Sequence, residues 1–336
     1  MEEEKKLVPF RLCTLEDTYP WGSEIWNLAD LGWRDTAVRD GWLAGNMMGE
    51  VMETYLDRIT GDGAFDWYGL QFPFCIKTLH IDGRMPLTVC PDDELARERY
   101  DSLGKEKFWY VLDAAPGAKV LAGLRRDVSA AGFLAACEDG SIEGIMNQAP
   151  VKAGSYYHIP AGTPHCLLGK ATVLEISQSS ALDSRLCSWG LSSEEDYGLG
   201  LVEALDFVNL SKYPAEALLG YSLDARREGD PENVNRLVSL PQFTVSLISL
   251  AEPLKISEGE GNSCVAYSCL KGGMNIQLPL DEGGKADFLK VSEGETVLVP
   301  AECDEFFLVP VEPGTVLLET MIEPRPEKDS YVVSGQ

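Results

Sequence analysis

His165 closes a run whose spacing prepares a side chain for chemistry. From Gly154 the order is glycine, five residues, Pro160, one residue, Gly162, two residues, His165. Gly154 permits a tight start to a strand, and Pro160 with Gly162 makes the turn that follows it. The histidine then opens the return strand, facing a cavity or a metal. The bland alternative is a structural histidine bonded to backbone. A weaker copy begins at Val291, where Val291, Gly294, Pro300 and Ala301 repeat Val151, Gly154, Pro160 and Ala161 at a constant offset of 140 (291 − 151). Such self-similarity predicts two related β domains. Glu305 stands where the first copy has His165, so the two halves are expected to differ chemically.

The elements that carry these runs are mostly short strands. Strands are expected at 72–80, 87–90, 107–112, 118–122, from Tyr156, and at 171–176. A second set is expected at 243–250, 263–270, 274–278, 296–299, 305–309 and 315–321. Helical spacing covers 43–59, 128–146 with Ser129 as its cap, and 203–208. Pro91-Asp92-Asp93-Glu94 is a helix-start signal. This density of short strands predicts a mostly β chain of two barrels, or jelly rolls, with helical insertions.

The chain is long enough for two cores, with 336 residues, and it is acidic: 54 acidic against 28 basic residues, a formal charge of −26. Such a chain is repelled by nucleic acid and by anionic membranes, so neither is an expected partner. Met1-Glu-Glu-Glu-Lys-Lys is followed by no apolar signal segment, and no apolar run is long enough to span a bilayer. Nine scattered cysteines without a CxxC pair favour reduced thiols and a cytoplasmic location.

Six stretches in register give this chain its resemblance. They are Phe72 to Lys77, Pro91 to Glu94, Gly104-Lys105 through Trp109-Tyr110 to Leu112, Pro160 to His165, Glu175 through Ser180 to Arg185 and Trp189-Gly190, and Ala204 to Phe207. Together, over roughly 20–323, they resemble the class I mannose-6-phosphate isomerases of the short bacterial type, within the cupin superfamily. The resemblance implies an N-terminal segment, 1–66, whose helix packs on the first barrel. It implies a first barrel over 67–212, with insertion 128–146 and the ancestral site. A linker over 213–234, a degenerate second barrel over 235–323 and a loose tail over 324–336 follow.

The resemblance also implies a divalent metal, usually zinc, and isomerisation of mannose 6-phosphate and fructose 6-phosphate through an enediol. The family's ligand positions fall on Thr88, Cys90, Lys107 and His165. Three of these four are replaced, and only His165 remains. Threonine is a poor ligand and a lysine ammonium a hostile one. Glu106 is one residue out of place and is expected on the opposite side of its strand. Glu175 and Arg185 fall on the family's proton-transfer carboxylate and catalytic arginine, and Lys77 enters the first barrel. Lys107 places one positive charge where the family has Zn²⁺ and a glutamate.

Three readings follow. The first is an isomerase-like protein with its metal site largely lost. The second is a non-catalytic sugar or sugar-phosphate binder. The third is a metal-free enzyme using Lys107. No cofactor is expected, unless zinc is held through Cys90 and His165. The expected partner is a sugar or sugar phosphate, substrate contacts are assigned to Lys77 and Arg185, and the oligomeric state is left open. Trp21, Trp26, Trp33 and Trp42 are read as packing before they are read as a sugar platform.

Overall fold

The repeated glycine motif folds into the same corner twice. In the computed structural model, which describes residues 5–190, 200–214, 233–257, 263–279 and 287–323, Gly154 and Gly294 share a φ of +83°. The Gly154 amide donates to Val111 O at 2.9 Å and the Gly294 amide to Cys269 O at 2.8 Å. Ser155 donates to Lys152 O and Glu295 to Ser292 O, both at 3.0 Å. Past the strand, Thr163 donates to Pro160 O at 3.1 Å and Cys303 to Pro300 O at 3.0 Å. A left-handed backbone is strained for any residue but glycine, so the motif spacing is a backbone requirement.

Among the described residues the strands divide into two compact units. One contains 15–26 and 75–214, the other 5–14, 27–74 and 233–323. In the first unit a ten-stranded sheet curls around Trp109, Val111, Leu121, Leu167 and Val173. The strand that organises it is His165–Gln178. Its first half pairs with Lys119–Leu124 and its second half with Lys107–Ala114. Between the halves Gly169 has φ +99°, and a Cβ there would stand 2.8 Å from Ala118 Cα. Only glycine lets the long strand cross from one neighbour to the other.

The second unit holds two antiparallel sheets. One runs in the order Phe10–Arg11, Thr296–Val299, Val265–Lys271, Thr315–Met321, Thr244–Leu250, Val234–Ser239. The other runs Leu254–Ser257, Glu305–Pro310, Gly273–Gln277, Phe288–Ser292. Tyr267, Ile276, Phe306, Leu308 and Leu317 are buried in its core. This is the mostly β architecture expected from the strand pattern.

Three helical expectations are corrected. The span 43–59 is broken: Met48–Tyr55 ends at Leu56, which has φ +52°, and Asp57–Thr60 and Asp62–Tyr68 follow, bounded by Gly61 and Gly69 at positive φ. The span 128–146 holds Ala130–Glu138, with Ser129 Oγ accepting from Gly132 N, and stops before Gly140 at φ +76°. Ser141–Ile145 is a 3-10 helix, and Met146–Pro150 a strand on Lys119–Leu124. The helix expected at 203–208 is Leu201–Ala204. The domain assignment differs as well. The helices within 1–66 pack with the C-terminal barrel, through Ala301 N to Ile59 O at 2.9 Å and Cys264 N to Thr60 O at 3.2 Å. Apolar helix faces do not by themselves identify their partner. Most of the expected linker, 215–232, and the tail, 324–336, lie outside the described residues. No helix among the described residues is long and apolar enough to cross a membrane.

A carboxyl in this second unit gives it a pH response. Burial raises the Asp30 carboxyl to about 6 from 3.8, despite the Phe72 amide that donates to it at 3.1 Å, and Asp35 and Glu53 add to the rise. The folded chain therefore binds this proton more tightly than the unfolded chain does. The stabilisation is fully present below pH 4 and is lost as pH rises through 6, about 3 kcal/mol in all. Urea unfolding at pH 4.5 and pH 7 is expected to show this loss in the wild type and a smaller one in Asp30→Asn. An equal pH slope in both would refute it.

Candidate functional site

The expected residues lie on paired strands of the first barrel. Thr88 lies opposite both His165 and Arg185 on its two neighbouring strands. Trp109 pairs with Glu175 and Lys107 with Ser177 along the long strand. Lys77 comes from the strand Phe74–Arg84, which pairs on the other side of the long strand. Lys77, Cys90, Lys107, His165 and Glu175 are all buried, whereas Arg185 is half-buried.

His165 Nδ1 lies 2.8 Å from Thr163 O, so that nitrogen carries the proton and donates it to the carbonyl. Nε2 is left as an acceptor, 3.4 Å from Thr88 Oγ1. The ring packs edge-on to Trp109, with centroids 5.3 Å apart. Burial, reinforced by the Lys107 charge, lowers the imidazole to about 3, so it is neutral.

Two ion networks face this histidine. In the first, Glu175 Oε2 accepts from Trp109 Nε1 at 2.7 Å and Oε1 lies 3.0 Å from Lys77 Nζ. Lys77 also reaches Glu24 at 3.3 Å and stands 4.7 Å above the Trp26 ring. Burial alone would raise the Glu175 carboxyl; the charge of Lys77, then of Lys107 and Lys105, outweighs it and holds the group at about 2. Burial works against the Lys77 ammonium too, and Glu175 and Glu24 overcome it, raising its pKa.

The second network centres on Asp183. Its Oδ1 receives Lys107 Nζ at 2.7 Å and Cys90 Sγ at 3.0 Å, and its Oδ2 receives Lys105 Nζ at 2.5 Å. Burial opposes both charges, but the pairing wins: Lys107 holds its proton well above the usual lysine range and Asp183 ionises well below the usual carboxylate range. Burial and the neighbouring Asp183 charge raise the Cys90 thiol, so it stays protonated. Glu106 points elsewhere, accepting from Ala161 N at 3.1 Å and pairing with His158 at 2.6 Å. His80 lies 3.2 Å from Thr172 Oγ1.

Sequence reasoning missed Asp183, Lys105 and Glu24. Lys105 was within reach, since two residues before Lys107 is the same face of an extended chain. Asp183 and Glu24 carry no local signal; their partners are supplied by other strands. They also change the charge balance. Lys77, Lys105 and Lys107 face Glu24, Glu175 and Asp183, three of each sign, so the positive charge expected at Lys107 is neutralised. Trp26 lies in this region, whereas Trp33 and Trp42 are exposed residues of the other unit.

The donors that meet here do not fit zinc. The position facing His165 holds an ammonium bound to a carboxylate, and the thiol beside it is protonated and hydrogen-bonded. No group of three or more His, Cys, Asp or Glu among the described residues is arranged to hold a metal. Neutral Lys107 and thiolate Cys90 would be needed for ligation, and both protonation states run against the local field.

The sheets of the two units have a cupin-type, two-barrel fold. No protein-family model matches the chain. By sequence it is 28% identical over 230 residues to mannose-6-phosphate isomerase of Streptococcus mutans, covering 65% of this chain and 67% of that one. It is 25% identical over 176 residues to mannose-6-phosphate isomerase ManA of Bacillus subtilis, covering 51% and 53%. The chain thus spans about half to two thirds of the length of these curated relatives. In structure it matches the mannose 6-phosphate isomerase of Bacillus subtilis with a TM-score of 0.77 at 19% identity, over 94% of this chain and 100% of that one. A phosphomannose isomerase variant from Salmonella typhimurium gives 0.71 at 14% identity, over 94% and 100%. These neighbours fix the fold. The sequence relatives, at 25–28% identity, are named mannose-6-phosphate isomerase.

Proposed function

We propose that this chain is a mannose-6-phosphate isomerase-like protein that binds a sugar phosphate in its first barrel, without the metal-assisted isomerisation of its relatives. The observation that carries this reading is the Lys107–Asp183 ion pair at 2.7 Å, formed at a ligand position of the resemblance. Relatives at 25–28% identity, named mannose-6-phosphate isomerase, supply the substrate class. Lys77, Lys105, Lys107 and Arg185 supply cations for a phosphate, and binding needs charge and shape rather than a Lewis acid.

The reading of Lys107 as a catalytic base is disfavoured by its partners. A base must be unprotonated near the working pH, and Asp183 holds the ammonium form. Glu175, held at about 2 by Lys77, is likewise a weak acceptor for a carbon-bound proton. Calorimetric titration of mannose 6-phosphate and fructose 6-phosphate, with and without chelator, tests the proposal alongside metal analysis. The expected result is binding that survives chelation in protein carrying much less than one zinc per chain. Stoichiometric zinc, or no binding of either sugar phosphate, would end this reading.

A further inference from the structure

Asp183 is held by more donors than its place in the chain requires. It ends the connection between the long strand His165–Gln178 and the strand Ser184–Cys187. That connection is already anchored by Ser180, whose Oγ donates to Leu103 O at 2.7 Å and accepts from Leu182 N at 3.2 Å. Yet three further donors, Lys105, Lys107 and Cys90, converge on the Asp183 carboxylate. The lysine side chains are 4% and 3% exposed, while that of Asp183 is 29% exposed. The acid therefore covers two buried ammonium groups from the solvent side. Opposite Lys107 in the strand register, Ser177 has a buried hydroxyl with no hydrogen-bond partner among the described residues. Cross-strand neighbours share a face, so an unused hydroxyl lies on the face that Lys107 occupies.

We propose that Asp183 is a tethered anion occupying an anion site of Lys105 and Lys107, an autoinhibitory contact that a phosphate group must displace. The charge count supports it. With Asp183 the six charged groups of the two networks sum to zero; without it they sum to +1. A phosphate oxygen can take the same ammonium and thiol hydrogen bonds that the carboxylate takes now, and Ser177 Oγ adds a donor that Asp183 leaves unused. The choice of phosphate rests on the sugar-phosphate reading of this barrel.

The test is calorimetric titration of inorganic phosphate, and separately of mannose 6-phosphate, into the full chain at fixed ionic strength. Asp183→Asn removes the competing charge and keeps the side-chain shape. It is expected to bind inorganic phosphate at least about tenfold more tightly than wild type, and Lys107→Gln added to it is expected to abolish the gain. A residue with a merely structural role would lose binding instead, so equal or weaker phosphate binding by Asp183→Asn overturns the proposal. If that variant folds poorly, thermal unfolding replaces titration. A midpoint raised by phosphate in the variant and flat in the wild type supports the proposal; a variant indifferent to phosphate overturns it. A phosphate gain with no binding of mannose 6-phosphate keeps the Asp183 assignment and sinks the sugar-phosphate reading. Equal binding of mannose 6-phosphate by both proteins keeps that reading and sinks the assignment.

Discussion

Lys77→Met is expected to destabilise the folded chain by about 3–5 kcal/mol, the cost of leaving a buried partner charge unpaired. Lys77 is 5% exposed and lies 3.0 Å from Glu175, itself 1% exposed. Methionine fills most of the same volume, so lost packing is a small part of the effect. What remains is a carboxylate with one hydrogen bond, from Trp109 to Oε2, and no adjacent counter-ion on Oε1. Without Lys77 the burial of Glu175 raises its carboxyl pKa, so the penalty shrinks as the pH is lowered. Glu175→Gln keeps an acceptor for Trp109 Nε1, and Glu24 at 3.3 Å still pairs with Lys77. That single variant is therefore expected to cost less than Lys77→Met. The double variant Lys77→Met with Glu175→Gln is expected to recover much of the loss, because contacting residues couple and the stranded charge is gone. Guanidinium unfolding of the four proteins makes the double-mutant cycle. Additive losses would mean the pair contributes only through packing.

How legible such a pair is depends on which half of it the chain pattern exposes. The period-two strands, the turn glycines and the constant offset of 140 between the two corners are local facts, and the fold follows them closely. His165 and Thr88 meet through strand register, and Lys107 pairs with Ser177 further along the same strand. Asp183 does not: its lysine partners lie 76 and 78 residues away and reach it from a different strand. A single aspartate two residues before Arg185 looks like any polar residue in a strand connection. The helices of 43–68 fail for a related reason. Their apolar faces state that they pack, whereas their hydrogen bonds to Thr60 and Ile59 come from residues some 200 positions on. Glu305, the counterpart of His165 in the second barrel, pairs with Lys255 at 2.8 Å on the surface, so the chemical inequality of the two corners was readable from one substitution.

Turnover of mannose 6-phosphate is expected to be absent or far below that of the isomerases this chain resembles. Aldose–ketose interchange moves a proton between neighbouring carbons while negative charge builds on oxygen. A metal contributes several kcal/mol to such a step, and each ~1.4 kcal/mol is tenfold in rate. Lys107 offers one ammonium in that place, and Asp183 already neutralises it at 2.7 Å. Glu175 is ionised but held by Lys77 and Trp109, so its basicity is spent on contacts within the protein. A coupled isomerase assay, with and without added zinc and with and without chelator, measures the outcome. Fast turnover that survives chelation would establish lysine chemistry; fast turnover lost on chelation would mean that zinc is ligated by residues other than those named. The constructive form of the test restores the family's ligand types: Thr88→Gln, Cys90→His and Lys107→Glu together. Alone, these strip Asp183 Oδ1 of its lysine and thiol donors and set a new carboxylate beside it, while Oδ2 keeps Lys105, so the triple variant is expected to gain zinc and measurable turnover most fully when Asp183→Asn is added. Zinc bound without turnover in that quadruple variant would locate the remaining deficit in Glu175 and its lysine, and would leave the ion network as the reason for the missing metal.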